Sequence, residues 1–134
     1  MIEFFFDCSS PWTWLAFESI QPLAEELDVS IQWKPILVGG VFNAVNNSVY
    51  EARKDPASPK MRHMSKDLQD WARYQGLTIK FPPGVFPVNS VKAMRACCWL
   101  GQDCVPFARA VFSAYWTDDR DISQDGELAA IARD

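Results

Sequence analysis

Ile2-Glu3-Phe4-Phe5-Phe6 is an apolar run with one polar break, the pattern of a short, mostly buried strand. Asp7 to Ser9 make a turn, Ser10 is a natural N-cap, and Pro11 suits the first helical position, where a missing N–H costs nothing. From Pro11 to Leu27 the apolar residues Trp12, Leu15, Ile20, Leu23 and Leu27 fall close to a helical spacing, and Pro22 is predicted to kink or divide this helix. After a turn at Asp28, Val29-Ser30-Ile31-Gln32-Trp33 alternates like a second strand, stopped by Pro35. A strand, a crossover helix and a second strand make a right-handed βαβ unit with parallel strands.

Beyond Gly39-Gly40 the pattern is helical. A short apolar turn covers Val41 to Val45, and Asn46 to Pro59 is a polar loop. Lys60 to Gln75 reads as an amphipathic helix closed by Gly76. Phe81-Pro82-Pro83-Gly84-Val85-Phe86-Pro87 excludes regular structure, since prolines and a glycine crowd it. Asn89 or Ser90 caps a helix through Leu100, Pro106 to Trp116 forms another, and Ser123 caps a last one. The expected division is therefore a βαβ part over residues 1–38 and a helical part over residues 39–134. Two strands do not make a stable sheet alone, and the first strand lacks a neighbour on its other side. The expectation is an α/β chain that stops before its sheet is finished.

At 134 residues the chain is one domain's worth, with the 49% hydrophobic and 22% charged composition of an ordinary soluble globular protein. Six Trp and nine Phe predict an aromatic interior and aromatic cleft walls. The net charge of −4, without a block of like charges, argues against nucleic acid as a partner. No stretch approaches the roughly 20 apolar residues that span a bilayer. The start Met1-Ile2-Glu3 lacks the basic opening of a secretory signal, so the Asn46-Asn47-Ser48 glycosylation pattern is expected to be silent. Cys8, Cys97, Cys98 and Cys104 form no Cys-x-x-Cys pair and, with one histidine, make a poor zinc set, so no metal is expected. Cys97 and Cys104 share a helix face and read as core residues, whereas Cys8 precedes the first helix and is expected to be partly exposed. Reduced thiols in a cytoplasmic setting fit this usage.

The candidate chemistry lies in Ser10-Pro11-Trp12-Thr13. A helix N-terminus carries roughly half a positive charge and several free N–H groups, which suit an anion. In thioredoxin-like redox proteins that anion is a thiolate from a Cys-x-x-Cys pair, but the ends of this quartet are Ser10 and Thr13. Hydroxyls make no disulfide, so this is either a site for a thiol that arrives on a small molecule or an ordinary capped helix.

The segments Phe6-Asp7-Cys8-Ser9-Ser10-Pro11-Trp12-Thr13-Trp14-Leu15-Ala16, Pro35-Ile36-Leu37-Val38-Gly39-Gly40-Val41-Phe42 with Asn47, Pro59-Lys60 with Asp67-Leu68 and Trp71-Ala72, Phe86-Pro87-Val88-Asn89-Ser90 with Ala93-Met94-Arg95-Ala96, and Tyr115-Trp116 with Arg120-Asp121-Ile122-Ser123 follow one another along the chain. Together they resemble the 2-hydroxychromene-2-carboxylate isomerases, relatives of kappa-class glutathione transferases in the DsbA-like thioredoxin superfamily. The chain departs from the family at His63, where a tyrosine is frequent. Family members also continue past the position of Asp134 with two further strands, a cis-proline loop and a closing helix, so the resemblance covers their first two-thirds and the chain is expected to be a truncated form.

The resemblance implies an α/β fold: a thioredoxin-like βαβ half with a large all-helical insertion, the C-terminal strands missing. It implies glutathione as cofactor, with Ser10 donating its hydroxyl to the glutathione sulfur and Pro11, Asn47 and Lys60 binding the rest. Trp12 and Phe42 would wall a pocket for a small aromatic substrate, while Trp14 reads as core. Asn89 is expected to cap its helix, Arg95 to pair with Asp67 or Asp70, His63 to lie on a helix surface, and Asp118-Asp119-Arg120-Asp121 to be a solvated turn. The implied reaction is glutathione-assisted isomerisation of 2-hydroxychromene-2-carboxylate to trans-o-hydroxybenzylidenepyruvate in aromatic breakdown, by a homodimer. Two alternatives stand beside it: a kappa-like glutathione transferase, and a non-catalytic domain that associates through its open sheet edge.

Overall fold

The structure, a computed structural model, describes residues 1–45 and 54–133. Strand β1 (Ile2–Phe6) leads through a tight turn to helix α1 (Pro11–Glu26), and strand β2 (Ile31–Pro35) to helix α2 (Val38–Val45). Helices α3 (Pro59–Gln75) and α4 (Val91–Leu100) follow, then a 3-10 turn (Gly101–Cys104), α5 (Val105–Trp116) and α6 (Asp125–Ile131). The strands pair in parallel, from Ile2 opposite Ile31 to Phe6 opposite Pro35. This is the expected βαβ unit: among the described residues the sheet has two strands, and the elements that follow it are helical.

The helix ends follow local chemistry. Ser10 Oγ accepts the Thr13 N–H at 3.2 Å at the head of α1, and Ser58 Oγ accepts the Met61 N–H at 3.3 Å at the head of α3. Gly76 closes α3 in the left-handed region, at φ 72°. Ser90 stands at the N-cap position of α4 without a side-chain cap bond, and Asn89 Oδ1, one residue earlier, accepts the first helical N–H, on Val91, at 3.0 Å. Of the two outcomes expected at Pro22, a kink or a division, division does not occur: α1 runs unbroken from Pro11 to Glu26. Its ring lies on the exposed side near the helix end, where buried Leu15, Phe17 and Ala24 hold the axis. The apolar turn expected over Val41 to Val45 belongs to a longer helix: α2 begins at Val38 and includes Gly39 and Gly40, and its first N–H, on Val38, donates to the Asp7 carboxylate. Ser123 does not cap α6. Gln124 occupies that position, and the Ser123 hydroxyl donates to Asp121 Oδ1 at 2.6 Å.

The core is continuous across the chain. Phe17 packs on Trp33 at 4.9 Å and on Phe112 at 5.3 Å, and Trp14 stacks on Phe112 at 6.0 Å, so α1 is held between the sheet and α5. Each such ring contributes about 1.5–3 kcal/mol by leaving water. The outer edge of β2 is covered, since its Trp33 N–H donates to Gln102 Oε1 at 3.1 Å. The outer edge of β1 is not: the outward amides of Glu3 and Phe5 have no partner among the described residues, and Phe5 is 56% exposed.

Residues 77–90 form a strap clamped onto the end of α5. The Lys80 N–H donates to Trp116 O at 2.7 Å, Thr117 Oγ1 to Thr78 O at 2.7 Å, and Tyr115 Oη to Val85 O at 2.8 Å. The strap contains two cis peptide bonds, Phe81–Pro82 and Phe86–Pro87. Asp119 completes the clamp by pairing with Lys80 and accepting the Gly84 N–H at 2.6 Å. The 118–121 turn is thus a fastening rather than a free solvated loop, because Arg120 also pairs with Glu127 at 2.6 Å.

Hydrogen bonds from Lys66 to Asp70, from Lys80 to Asp119, and from Ser123 to Asp121 hold all three carboxyls below their ordinary value of 3.8. Carboxyls depressed by folding add stability above their unfolded pKa and lose it as pH falls through the lower folded value. The expected result is a melting temperature steady near neutrality that drops progressively below about pH 4. Asp119→Asn should reduce that acid slope, and an unchanged slope would show that the clamp carries no linkage.

Candidate functional site

The turn between β1 and α1 is built to hold Ser10 in one place. Ser10 has extended backbone (φ −114°, ψ 120°), and its carbonyl accepts the Trp14 N–H at 3.2 Å. Its Oγ uses a lone pair on the Thr13 N–H, which leaves the hydroxyl proton to donate. Pro11 is buried and has no N–H, and the Trp12 N–H has no acceptor among the described residues. The head of α1 therefore offers one O–H and one N–H at the positive end of a 16-residue helix.

Asp7 and Cys8 anchor this turn. Asp7 is 2% exposed. Its Oδ1 accepts the Ser9 N–H at 2.9 Å, its Oδ2 the Val38 N–H at 2.8 Å, and its carbonyl the Ser10 N–H at 3.2 Å. Cys8 is not partly exposed, as expected, but 0% exposed. Its N–H donates to Met94 Sδ at 3.4 Å, its thiol approaches Ala108 O at 4.0 Å, and its carbonyl accepts the Trp116 indole N–H at 2.9 Å. Its partners come from α4 and α5, far along the chain, so no local pattern announces its burial.

Cys97 and Cys104 lie with Cys8 in this buried cluster. Hydrogen bonding to Cys97, then burial, pushes the Cys104 thiol well up. A hydrogen bond with Cys104 favours the Cys97 thiolate, but bonding to Cys8 and burial outweigh it, so that thiol is raised too. Both are neutral near pH 7 and are not nucleophiles. Among the described residues no group of His, Cys, Asp or Glu is arranged to hold a metal.

The other predicted site residues are distributed around this turn. Trp12 is half-buried against the core, and Trp14 is buried, its indole N–H donating to Glu18 Oε1 at 3.3 Å. Phe42 is half-buried on α2, a helix with no fully buried residue, and Asp7 ties the start of that helix to the Ser10 turn. Lys60 is exposed in the first turn of α3, which packs against α1, and it has no acidic partner among the described residues. Asn47 lies outside the described residues. His63 is on the exposed surface of α3, as expected. Among the described residues Arg95 pairs with neither Asp67 nor Asp70, and Asp70 binds Lys66 and Arg73 on its own helix. Asp67, Asp70, Trp71 and Tyr74 instead line a shallow cleft of about 370 Å³. A second cleft of about 500 Å³ lies by Ala24, Asp28, Ser30 and Trp33, and neither includes Ser10. Among the described residues no helix is long and apolar enough to cross a membrane.

Comparison with known proteins agrees with this fold. A 2-hydroxychromene-2-carboxylate isomerase of Pseudomonas putida is 27% identical over 118 residues, covering 87% of this chain and 56% of that protein. One from Sphingobium xenophagum is 29% identical over 138 residues, covering 99% of this chain and 67% of that protein. Glutathione S-transferase kappa 1 of Homo sapiens is 24% identical over 141 residues, covering 98% and 60%. A solved structure of a 2-hydroxychromene-2-carboxylate isomerase superposes with a TM-score of 0.76 at 24% identity, over 99% of this chain and 64% of that one. The chain thus spans 56% of the length of the Pseudomonas putida relative. The DSBA-like thioredoxin domain matches residues 1–134, and the chain belongs to that family.

Proposed function

We propose that this chain carries the glutathione-activating site of an isomerase that converts 2-hydroxychromene-2-carboxylate to trans-o-hydroxybenzylidenepyruvate. The observation that carries this reading is the Ser10 hydroxyl at the head of α1, its proton free to donate, where disulfide-exchanging thioredoxin-like proteins place a cysteine. The isomerase names of the relatives favour the reaction, and the kappa transferase names favour glutathione.

The donor set fits a thiolate. A free thiol has a pKa of about 8.5, and the helix dipole contributes only about 0.3–1 kcal/mol, less than one pKa unit. A hydrogen bond to a charged acceptor contributes about 1.5–3 kcal/mol, so the Ser10 hydroxyl is the larger influence. Bound glutathione would supply a thiolate that adds to the conjugated system as the ring C–O bond opens, letting the former double bond rotate, and that is then expelled unchanged to leave the trans isomer. Ser10 holds the sulfur as the anion, and Pro11 fixes the backbone beside it. Lys60 and Asn47 bind carboxylate and amide groups of the cofactor, while Trp12 and Phe42 face the aromatic ring. The reading includes a homodimer in a cytoplasmic, reducing setting.

A kappa-like transferase would begin with the same thiolate. A second class of reading rests on the unpaired amides of Glu3 and Phe5, through which a non-catalytic domain would associate. One set of measurements separates them: thiolate absorbance of glutathione at fixed pH, recovery of free thiol after turnover, and sedimentation. Isomerisation shows thiolate with all glutathione recovered, and transfer consumes glutathione. An oligomer without thiolate absorbance would overturn the proposal in favour of edge association.

A further inference from the structure

The geometry points to Asp7 as a positioning residue that sets the Ser10 turn and α2 in fixed relation to each other; this rests on the glutathione reading of Ser10. Buried carboxylates are rare and are tolerated only with partners. Asp7 has two, both backbone amides, one on each element: the Ser9 N–H at 2.9 Å and the Val38 N–H at 2.8 Å. Its carbonyl takes a third amide, that of Ser10 itself, at 3.2 Å. The extended backbone that lets Ser10 Oγ reach the Thr13 N–H is thus held from the residue that follows β1.

The electrostatic side of the arrangement follows from which amide Oδ2 takes. A carboxylate near a thiolate would oppose its ionisation. Leu37 O accepts the Gly40 and Val41 N–H groups, so Val38 is the first residue of α2 and its amide is at that helix's positive end. Two helices begin beside the same turn. The head of α2 is occupied by an internal anion, Asp7, whose charge it offsets, and the head of α1 is left for an anion from outside. Phe42 rides on α2, so the same contact sets how far that ring stands from Ser10.

Two variants test this from opposite ends of the contact. Asp7→Asn keeps an acceptor for Ser9 but turns a donor toward the Val38 N–H. Val38→Pro removes that N–H at a first helical position, where proline is accommodated. Thiolate absorbance of saturating glutathione at pH 7 and amide hydrogen exchange at Ser9, Ser10 and Thr13 are then measured in both. Each variant is expected to lower the bound thiolate by about tenfold, the effect of misplacing one charge-assisted hydrogen bond, and to speed exchange at those amides. A residue that serves stability alone would lower the melting temperature and leave the thiolate unchanged in folded protein; that result, in Val38→Pro even if Asp7→Asn fails to fold, overturns the inference. If the wild-type protein develops no thiolate, the glutathione reading fails instead, and exchange at Ser9 and Ser10 in Val38→Pro still decides whether Asp7 sets the turn.

Discussion

Replacing Ser10 with alanine is expected to return the thiol of bound glutathione nearly to its free pKa of about 8.5 and to lower turnover by about 10²–10³. Ser10 does two jobs that the variant removes together. Its Oγ accepts the Thr13 N–H, a cap worth about 0.5–2 kcal/mol of stability, and its O–H proton is the donor offered to the ligand. The jobs separate by measurement. Loss of the cap shifts the urea midpoint by a fixed amount whether or not glutathione is present. Loss of the donor moves the pH profile of turnover to higher pH, since a thiol with a raised pKa ionises only in more alkaline solution. Ser10→Thr keeps a hydroxyl and a capping oxygen and should restore most of the profile. A pH profile unmoved in Ser10→Ala, with the cap loss plainly visible in the urea midpoint, would mean that Ser10 is a structural cap alone.

What short-range chemistry dictates is legible in the sequence. A Ser-Pro pair after an apolar run starts a helix whatever surrounds it, Gly76 ends one, and the Asn89 side chain accepts the first N–H of the next. The parallel βαβ unit followed from two apolar runs, a crossover and one rule of handedness. Where the reading failed, the deciding partner is distant. Val41 to Val45 reads as a short apolar turn, yet the helix starts earlier, at Val38, where the Asp7 carboxylate, 31 residues back, supplies the N-terminal acceptor that this short helix needs. Cys8 looked exposed because turns usually are, yet Met94, Ala108 and Trp116 close over it. Asp7 itself reads as a common turn residue. Only its place between buried Phe6 and buried Cys8 shows that the carboxylate has to find donors inside the protein, because β1 itself, expected to be mostly buried, buries Phe6 alone. Arg95 and Asp70 show the same limit: the nearer pairs on one helix, Lys66 and Arg73 with Asp70, win over an interhelical pair that helical spacing cannot exclude.

Trp116→Ala should be the most destabilising single change, because Trp116 joins the helical core to the Ser10 turn. The side chain is 0% exposed, packs against Tyr115 at 4.5 Å and Phe81 at 6.4 Å, and donates its indole N–H to Cys8 O at 2.9 Å. Truncating a buried tryptophan costs about 3–5 kcal/mol, against a total stability of about 5–15 kcal/mol for a typical domain. The unpaired Cys8 carbonyl adds to that, so the variant is expected to lose most of its urea resistance or to fail to fold. Trp116→Phe separates the contributions: it retains much of the ring and removes the donor, at an expected cost of about 1–3 kcal/mol. In that variant the Cys8 carbonyl is free to move, and the Ser10 hydroxyl moves with it. The thiolate absorbance of bound glutathione should therefore fall by more than the stability loss alone requires. If Trp116→Phe leaves both the urea midpoint and the thiolate unchanged, the indole hydrogen bond does not position Ser10, and the turn is held by Asp7 and the thiol cluster without it.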